Sequence, residues 1–292
     1  MDIFYISFEL GLLYSLVVFG IFLTFRILKF PDLTVDGSFV TGAAVAALAL
    51  KSGIPAVPAL ILAFLSGFGA GTITAFLHIK IGIGKILSSI IALSMLYTIN
   101  LRLMGGPNIS LLNQPNVLWW LKASVNHLQV IGILLTIVIL IKLALDWFLS
   151  TEIGLFIRAT GENEDIVRSF GVNPSLTKFL GIGLANALVG LGGGLIAQNQ
   201  GFVDINMGIG VITIGVASYM LGEVFMKTDK FYYLTAAVIL GSLLYQLIIS
   251  ICLQLGLAGM DLKFFTAFII VVLLLLKLKW GKDFYGATFF RN

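Results

Sequence analysis

VIGILLTIVILIKLAL, residues 130–145, decides the fold. Gly132, Thr136 and Lys142 are the only breaks in its apolar character, and none of them creates an alternating pattern. In hydrocarbon every backbone N–H and C=O must be paired within the protein, which leaves helices or closed barrels. A barrel strand alternates apolar and polar residues, whereas this run is apolar on every face, so it reads as a helix. Its apolar flanks extend it to Leu128–Leu149, long enough to cross a bilayer at roughly 20 residues per span.

The rest of the chain has the same character. Of 292 residues, 59% are hydrophobic and 11% charged, with a mean hydropathy of +1.06. Soluble domains carry about a quarter charged residues, so lipid is the solvent of most of this chain. The net charge of +4 sits at the ends of apolar segments and forms no patch suited to nucleic acid. The single cysteine, Cys252, lies in an apolar run and excludes a disulfide framework within the chain. The first apolar segment has neither a basic leader nor a small-residue cleavage site, so it is expected to be a retained helix.

Nine apolar segments follow: Phe8–Leu28, Ser38–Leu50, Pro55–Leu77, Ile86–Leu103, Leu128–Leu149, Leu176–Ala197, Met207–Phe225, Phe231–Leu255 and Phe264–Leu278. The second and seventh are short and glycine-rich. Either is a candidate for a broken or re-entrant element of the kind that lines a pathway, which puts the count at about 8–10. With the N-terminus outside, the inside ends collect Arg26, Lys29, Lys80, Lys85, Arg158, Arg168, Lys178, Lys227, Lys230, Lys277, Lys279, Lys282 and Arg291. The outside ends hold Lys51, Arg102, Lys122 and Lys263. That bias predicts a cytoplasmic C-terminus and a cytoplasmic 151–174 connection. Lys142 and Asp146 are spaced to pair along one helix face. The outer connection Gly105–Gln129 carries Trp119 and Trp120, which suit an interfacial belt and also stand where an extracellular donor of substrate would dock.

Motifs for chemistry are missing. His78 and His127 fall at opposite membrane ends, and with one cysteine they build no metal site. GIGK, Gly82–Lys85, resembles a phosphate loop, but Ile79 stands where the Walker pattern needs glycine, so it reads as a turn. GLGGGLIAQNQG, Gly190–Gly201, has no strand before it and reads as a surface for close helix packing. Its Gln198, Asn199 and Gln200 end that helix as an interface cap or a pore-lining patch. Uncharged polar residues inside spans include Ser88, Ser89, Ser94, Thr98 and Asn100 in the fourth segment, Asn186 in the sixth, and Thr213 and Ser218 in the seventh. Ser94, Asn100, Asn186 and Thr213 are the candidates for a substrate path, the asparagines because they are costliest in lipid. Asp32 and Asp36 flank the start of the second segment, where Asp36 is expected to cap that helix, with a substrate role as the alternative. No span centre offers an obvious acidic proton relay.

One polar stretch stands apart: TEIGLFIRATGENEDIVRSFGVNP, Thr151–Pro174. ENEDIVRSF reads as a short surface helix beginning at Thr160 or Gly161, with acids in its first turn and Arg168 near its end, as the helix dipole favours. Gly171 stops it and Pro174 restarts the chain.

This stretch resembles the cytoplasmic coupling segment of ABC-transporter permeases of the branched-chain amino-acid type. The matching elements are Thr151, Gly154, Arg158 and Ala159, then Gly171, Val172 and Asn173. FPDLTVDGSFVTGAAVAA, Phe30–Ala47, and ALSMLYTINLRLMGGPNISLL, Ala92–Leu112, look more specifically like the subgroup paired with substrate-binding proteins and sometimes assigned to tryptophan or tyrosine. The acid-rich ENED, Glu162–Asp165, departs from the family pattern. The resemblance covers nearly the whole chain and implies one permease domain over 1–292, an all-α bundle of the type II-like importer kind, in a bacterial inner membrane. It further implies a second permease copy, two ABC ATPase subunits inside and a substrate-binding protein outside. The substrate would be an amino acid or similar small solute. The chain itself would bind no cofactor, ATP being used by the partner ATPase. The segment 151–174 would dock that ATPase through Thr151, Glu152, Gly154, Arg158, Ala159, Gly161, Glu162, Gly171 and Asn173. A secondary transporter or channel without an ATPase is the competing reading. It would have no use for the charged mid-chain loop and should show inverted repeats or buried ionisable groups.

Overall fold

Continuous apolar runs become continuous helices in the computed structural model, which describes residues 2–112, 114, 126–226 and 231–280. In chain order these are α1 (Asp2–Phe22), α2 (Thr34–Lys51), α3 (Ala56–Ile79), α4 (Lys85–Met104), α5 (His127–Ser150), α6 (Glu152–Glu162), α7 (Glu164–Ser169), α8 (Pro174–Gln200), α9 (Val211–Met226), α10 (Phe231–Gln254) and α11 (Leu262–Trp280). Among the described residues, 7 helices are long and apolar enough to cross a membrane, and Val211–Met226 and Leu262–Leu275 are shorter apolar helices. They coincide with the nine apolar segments, and the fold is an all-α polytopic membrane bundle. Two three-residue strands, β1 (Asn108–Ser110) and β2 (Phe202–Asp204), pair antiparallel with Ile109 opposite Val203. They mark one end of the bundle, the ribbon end; α6 and α7 mark the other, the loop end. Trp119 and Trp120 lie outside the described residues.

Helices α1, α2 and α8 form the centre: 78% of each span is buried, against 22% for α5 at the periphery. Hydrocarbon gives helices no hydrophobic reason to associate, so close contact of small residues does that work. The expected packing surface on α8 behaves accordingly. A β-carbon on Gly190 would meet the Ala63 carbonyl and Gly67 of α3, one on Gly192 would strike Val17 of α1, and one on Gly193 would collide with the Phe39 carbonyl of α2.

Polar side chains pin the same junction. The amide of Asn186 on α8 donates to the Asp32 carboxylate at 2.7 Å, and its carbonyl oxygen accepts from the Ser38 hydroxyl at 2.6 Å. Thr34 and Thr74 join hydroxyls beside it, linking α2 to α3. Asn100 on α4 accepts from Thr41 at 2.9 Å and donates to the Gly37 carbonyl at 3.2 Å. Each of these buried polar groups has a partner, as burial demands. On α5, Lys142 pairs with Asp146 at 2.6 Å as the spacing predicted, and Thr235 of α10 donates to the same carboxylate at 2.7 Å.

Two expectations about segment ends are corrected. The second segment is not broken: α2 is one uninterrupted, mostly buried helix. Asp36 does not cap it. The N-cap position is Leu33, which has no side-chain cap, and the Asp32 carboxylate just before it accepts from the Thr34 N–H at 2.9 Å. Asp36 sits in the first turn, where its side chain leaves α2 for the start of α9, accepting from the N–H groups of Gly210 at 3.1 Å and Ile212 at 2.9 Å. The seventh segment is interrupted as its glycines allowed: 205–210 is non-helical and helix begins only at Val211.

Candidate functional site

The loop end is built around the unusual finish of α1. Its last turn, Leu23–Ile27, is π-helical, and Lys29 then takes a left-handed backbone conformation with φ of 49°. Wide turns of this kind concentrate at functional positions because they expose groups a regular helix hides. Arg26 on this turn pairs with the buried Glu223 of α9 at 2.8 Å.

Against this turn lies the polar loop, and its helical structure is larger than the sequence led us to expect. A helix starting at Thr160 or Gly161 is incorrect: α6 begins at Glu152 and ends at Glu162, and α7 is a separate turn and a half. The missed signal is Thr151, whose hydroxyl accepts from the Gly154 N–H at 3.4 Å as an N-cap. Asn163 is the breakpoint. Its N–H donates to the Ala159 carbonyl at 2.8 Å, closing α6, and its side chain accepts from the Asp165 N–H at 2.8 Å, opening α7. Gly171 stops α7 in the left-handed region at φ 77°, and Asn173 caps α8 by accepting from the Ser175 N–H at 2.9 Å, with Pro174 in the first turn.

The loop is fastened to the bundle at several points. A β-carbon on Gly154 would collide with the Phe148 carbonyl, so this glycine lets α6 fold back under α5. A β-carbon on Gly161 would collide with the Ile27 carbonyl, so α6 rests backbone to backbone on the π-helical turn. Glu162 pairs with Lys29 at 2.6 Å and Glu164 with Lys178 at 2.6 Å. The hydroxyls of Thr160 and Thr177 meet at 2.7 Å. The Arg158 guanidinium stacks over the Phe231 ring, 4.7 Å from its centroid, tying α6 to α10. The acid-rich ENED segment, a departure from the family pattern, thus supplies two of these fastenings. Between loop and bundle lies a cavity of about 220 Å³, which Lys85 and Lys178 enter from α4 and α8.

The outer surface of the loop is free of the bundle. Glu152 is exposed, and so are the apolar side chains of Ile153, Leu155, Ile166 and Phe170, the last at 72%. Phe170 lies beside Phe156, ring centroids 6.4 Å apart. Exposed apolar side chains of this size, with the exposed Asp165 and Arg168 among them, mark the kind of surface that meets another protein or a membrane.

The structure separates the four span candidates. Asn100 and Asn186 are fully buried and make their hydrogen bonds within the protomer. Ser94 is on the exposed face of α4, its hydroxyl bonded to the Ile90 carbonyl at 3.0 Å. Thr213 is half-buried in the first turn of α9. The sequence reading passed over Glu223, Ser38 and Thr74. Glu223 carried a usable signal, an acid inside an apolar segment facing Arg26 at a similar depth in another.

Two comparisons place this architecture. The family model for the permease component of branched-chain amino acid transport systems matches residues 5–277, nearly all of the bundle. The chain belongs to that family. The permease is also 39% identical over 264 residues, 90% of its length, to the tyrosine transport system permease protein of Clostridioides difficile (strain R20291), covering 88% of that protein. An uncharacterized protein of Rickettsia prowazekii (strain Madrid E) is 36% identical over 188 residues, 64% of the permease and 65% of the relative. No solved structure matches the permease.

Proposed function

We propose that this permease is the membrane subunit of an ABC importer, taking an amino acid from an extracytoplasmic binding protein across a bacterial inner membrane. In this reading the N-terminus is outside, the loop end faces the cytoplasm, and two copies enclose the path. The anchored loop carries the proposal. A charged, amphipathic two-helix element held by backbone contact, ion pairs and a stacked arginine is stiff enough to transmit force, and its exposed Ile166 and Phe170 are the grip. Gly154 and Gly161 set the loop's seat; Thr151, Gly171 and Asn173 set the ends of its helices; Arg158 and Glu162 tie it to α10 and α1. Glu152 and the face around Ala159 complete the ATPase-facing element. ATP closes the ATPase dimer, the two loops are drawn together, and α1, α8 and α10 follow. The name of the C. difficile relative and the family description support an amino acid as the solute, an aromatic one in particular.

The test is a pull-down from native membranes, comparing the intact chain with one whose residues 162–170 are replaced by a neutral linker. Recovery of an ATPase with the intact chain alone supports docking through this loop. Equal recovery with both chains, or none with either, contradicts it.

A further inference from the structure

Asp36 is an acid inside a membrane span with no ion pair among the described residues. It lies in the first turn of α2, and its carboxylate holds the N–H groups of Gly210 and Ile212, one on each oxygen. Those groups open a helix that starts deep in the bundle. Gly215 of α9 rests on Ile21 of α1, the ring of Tyr219 meets that of Phe22 edge-on, and Glu223 reaches Arg26. Followed back, this register sets Val211 beside the middle of the α1 span, Phe4–Ile27. The chain descends from β2 to that depth without helix, Gly208 lying directly against the Asp36 carbonyl.

The N–H groups of Gly210, Val211, Ile212 and Ile214 at this helix start are therefore already satisfied, and what remains is the carboxylate. Asp36 is only half-buried, unlike the sealed Asp32. A carboxyl group with an open side toward hydrocarbon is costly whether or not it is ionised, so that side faces water or another polar group. Thr213 is half-buried one turn along, and the exposed Lys263 opens α11, which packs on α9 through the apolar cluster that holds Ile214, Leu262 and Phe265. An acid and a base of this kind, beside a backbone that is irregular at membrane depth, match the two ends of a zwitterion.

We infer that Asp36 lines the solute path and receives the α-ammonium group of an amino-acid substrate, with Lys263 on the side of its carboxylate. The inference rests on the importer reading, since it needs a path between two copies. It adds the residue that tells an amino acid from a simple carboxylic acid.

The experiment uses the full chain in nanodiscs with its one cysteine removed as Cys252→Ser and a reporter placed as Thr213→Cys. Labelling by a water-soluble cationic thiol reagent is timed with L-tyrosine, with L-leucine, and with 3-(4-hydroxyphenyl)propionate, which lacks the ammonium. We expect labelling to proceed, to slow several-fold with the amino acids, and to be unaffected by the desamino acid. Asp36→Asn should weaken the protection roughly tenfold or more, as loss of one charge-assisted hydrogen bond requires, and Asp36→Glu should restore part of it. No labelling of Thr213→Cys, equal protection by the desamino acid, or unchanged protection in Asp36→Asn would each overturn the assignment. If Asp36→Asn does not fold, the comparison of tyrosine with its desamino analogue decides alone. Labelling needs no ATPase, so a failed pull-down of the ATPase would count against the importer reading and leave this result separate.

Discussion

The carbonyl oxygen of Ile27 occupies the place a side chain on Gly161 would take. The loop helix α6 thus rests on the π-helical end of α1 with nothing between the two backbones. Gly161→Ala forces one of them to move, and overpacking of this kind costs about 1–3 kcal/mol. We expect a lowered unfolding temperature and a larger fall in ATP-driven uptake, because the Glu162–Lys29 pair is pushed apart by the same displacement. Uptake and thermal unfolding measured on one preparation check both effects.

The pair Lys142–Asp146 lies on a peripheral span, yet Asp146 is buried and shared with Thr235. Removing one partner of a buried pair leaves an uncompensated charge and costs about 3–5 kcal/mol, whereas replacing both with apolar residues is often nearly neutral. Lys142→Met and Asp146→Leu are each expected to destabilise, and the double variant to be more stable than either single one. A double-mutant cycle on unfolding in detergent measures this. Strict additivity would show that the pair is not coupled.

Burial holds the Asp32 carboxyl above the usual carboxylate range, and the bonds from Asn186 and Thr34 offset only part of that. A raised acid binds its proton more tightly folded than unfolded. Stability is therefore greatest below the ordinary value of about 4 and falls as pH rises from there through the raised value. Asp32→Asn should remove that part of the pH dependence, while Asn186→Ala should steepen it by taking away the amide that stabilises the ionised form. Unfolding midpoints across mildly acidic to neutral pH read the two slopes, which are predicted to change in opposite directions.

Much of this fold was legible in the sequence because the bilayer imposes one rule on every span. The runs that became α3, α5, α8 and α10 were found nearly at their true lengths, and the Gly190–Gly194 surface was recognised as packing. What escaped the sequence was partnership across helices. Asp36 looks like the cap of its own helix until the fold sets the start of α9 beside it, and it is Asp32 that bonds the first N–H of α2. Glu223 and Arg26 lie in segments far apart in the chain, and no local pattern joins them. In the loop, the apolar residues of EIGLFI masked a surface helix, and only the cap at Thr151 betrayed it. Gly154 and Arg158 stood out by their motif and Gly161 as a docking candidate, but what each touches is a property of the folded bundle.

Phe170 is the most direct probe of the central claim, that the loop is gripped by an ATPase. It is exposed, lies beside Phe156, and takes part in none of the fastenings described above. A photo-crosslinking amino acid placed at Phe170 in the full chain, activated in native membranes and analysed by mass spectrometry, reports its neighbour. Our account predicts a covalent adduct to a nucleotide-binding ATPase subunit. Adducts to lipid or to the permease alone would contradict it.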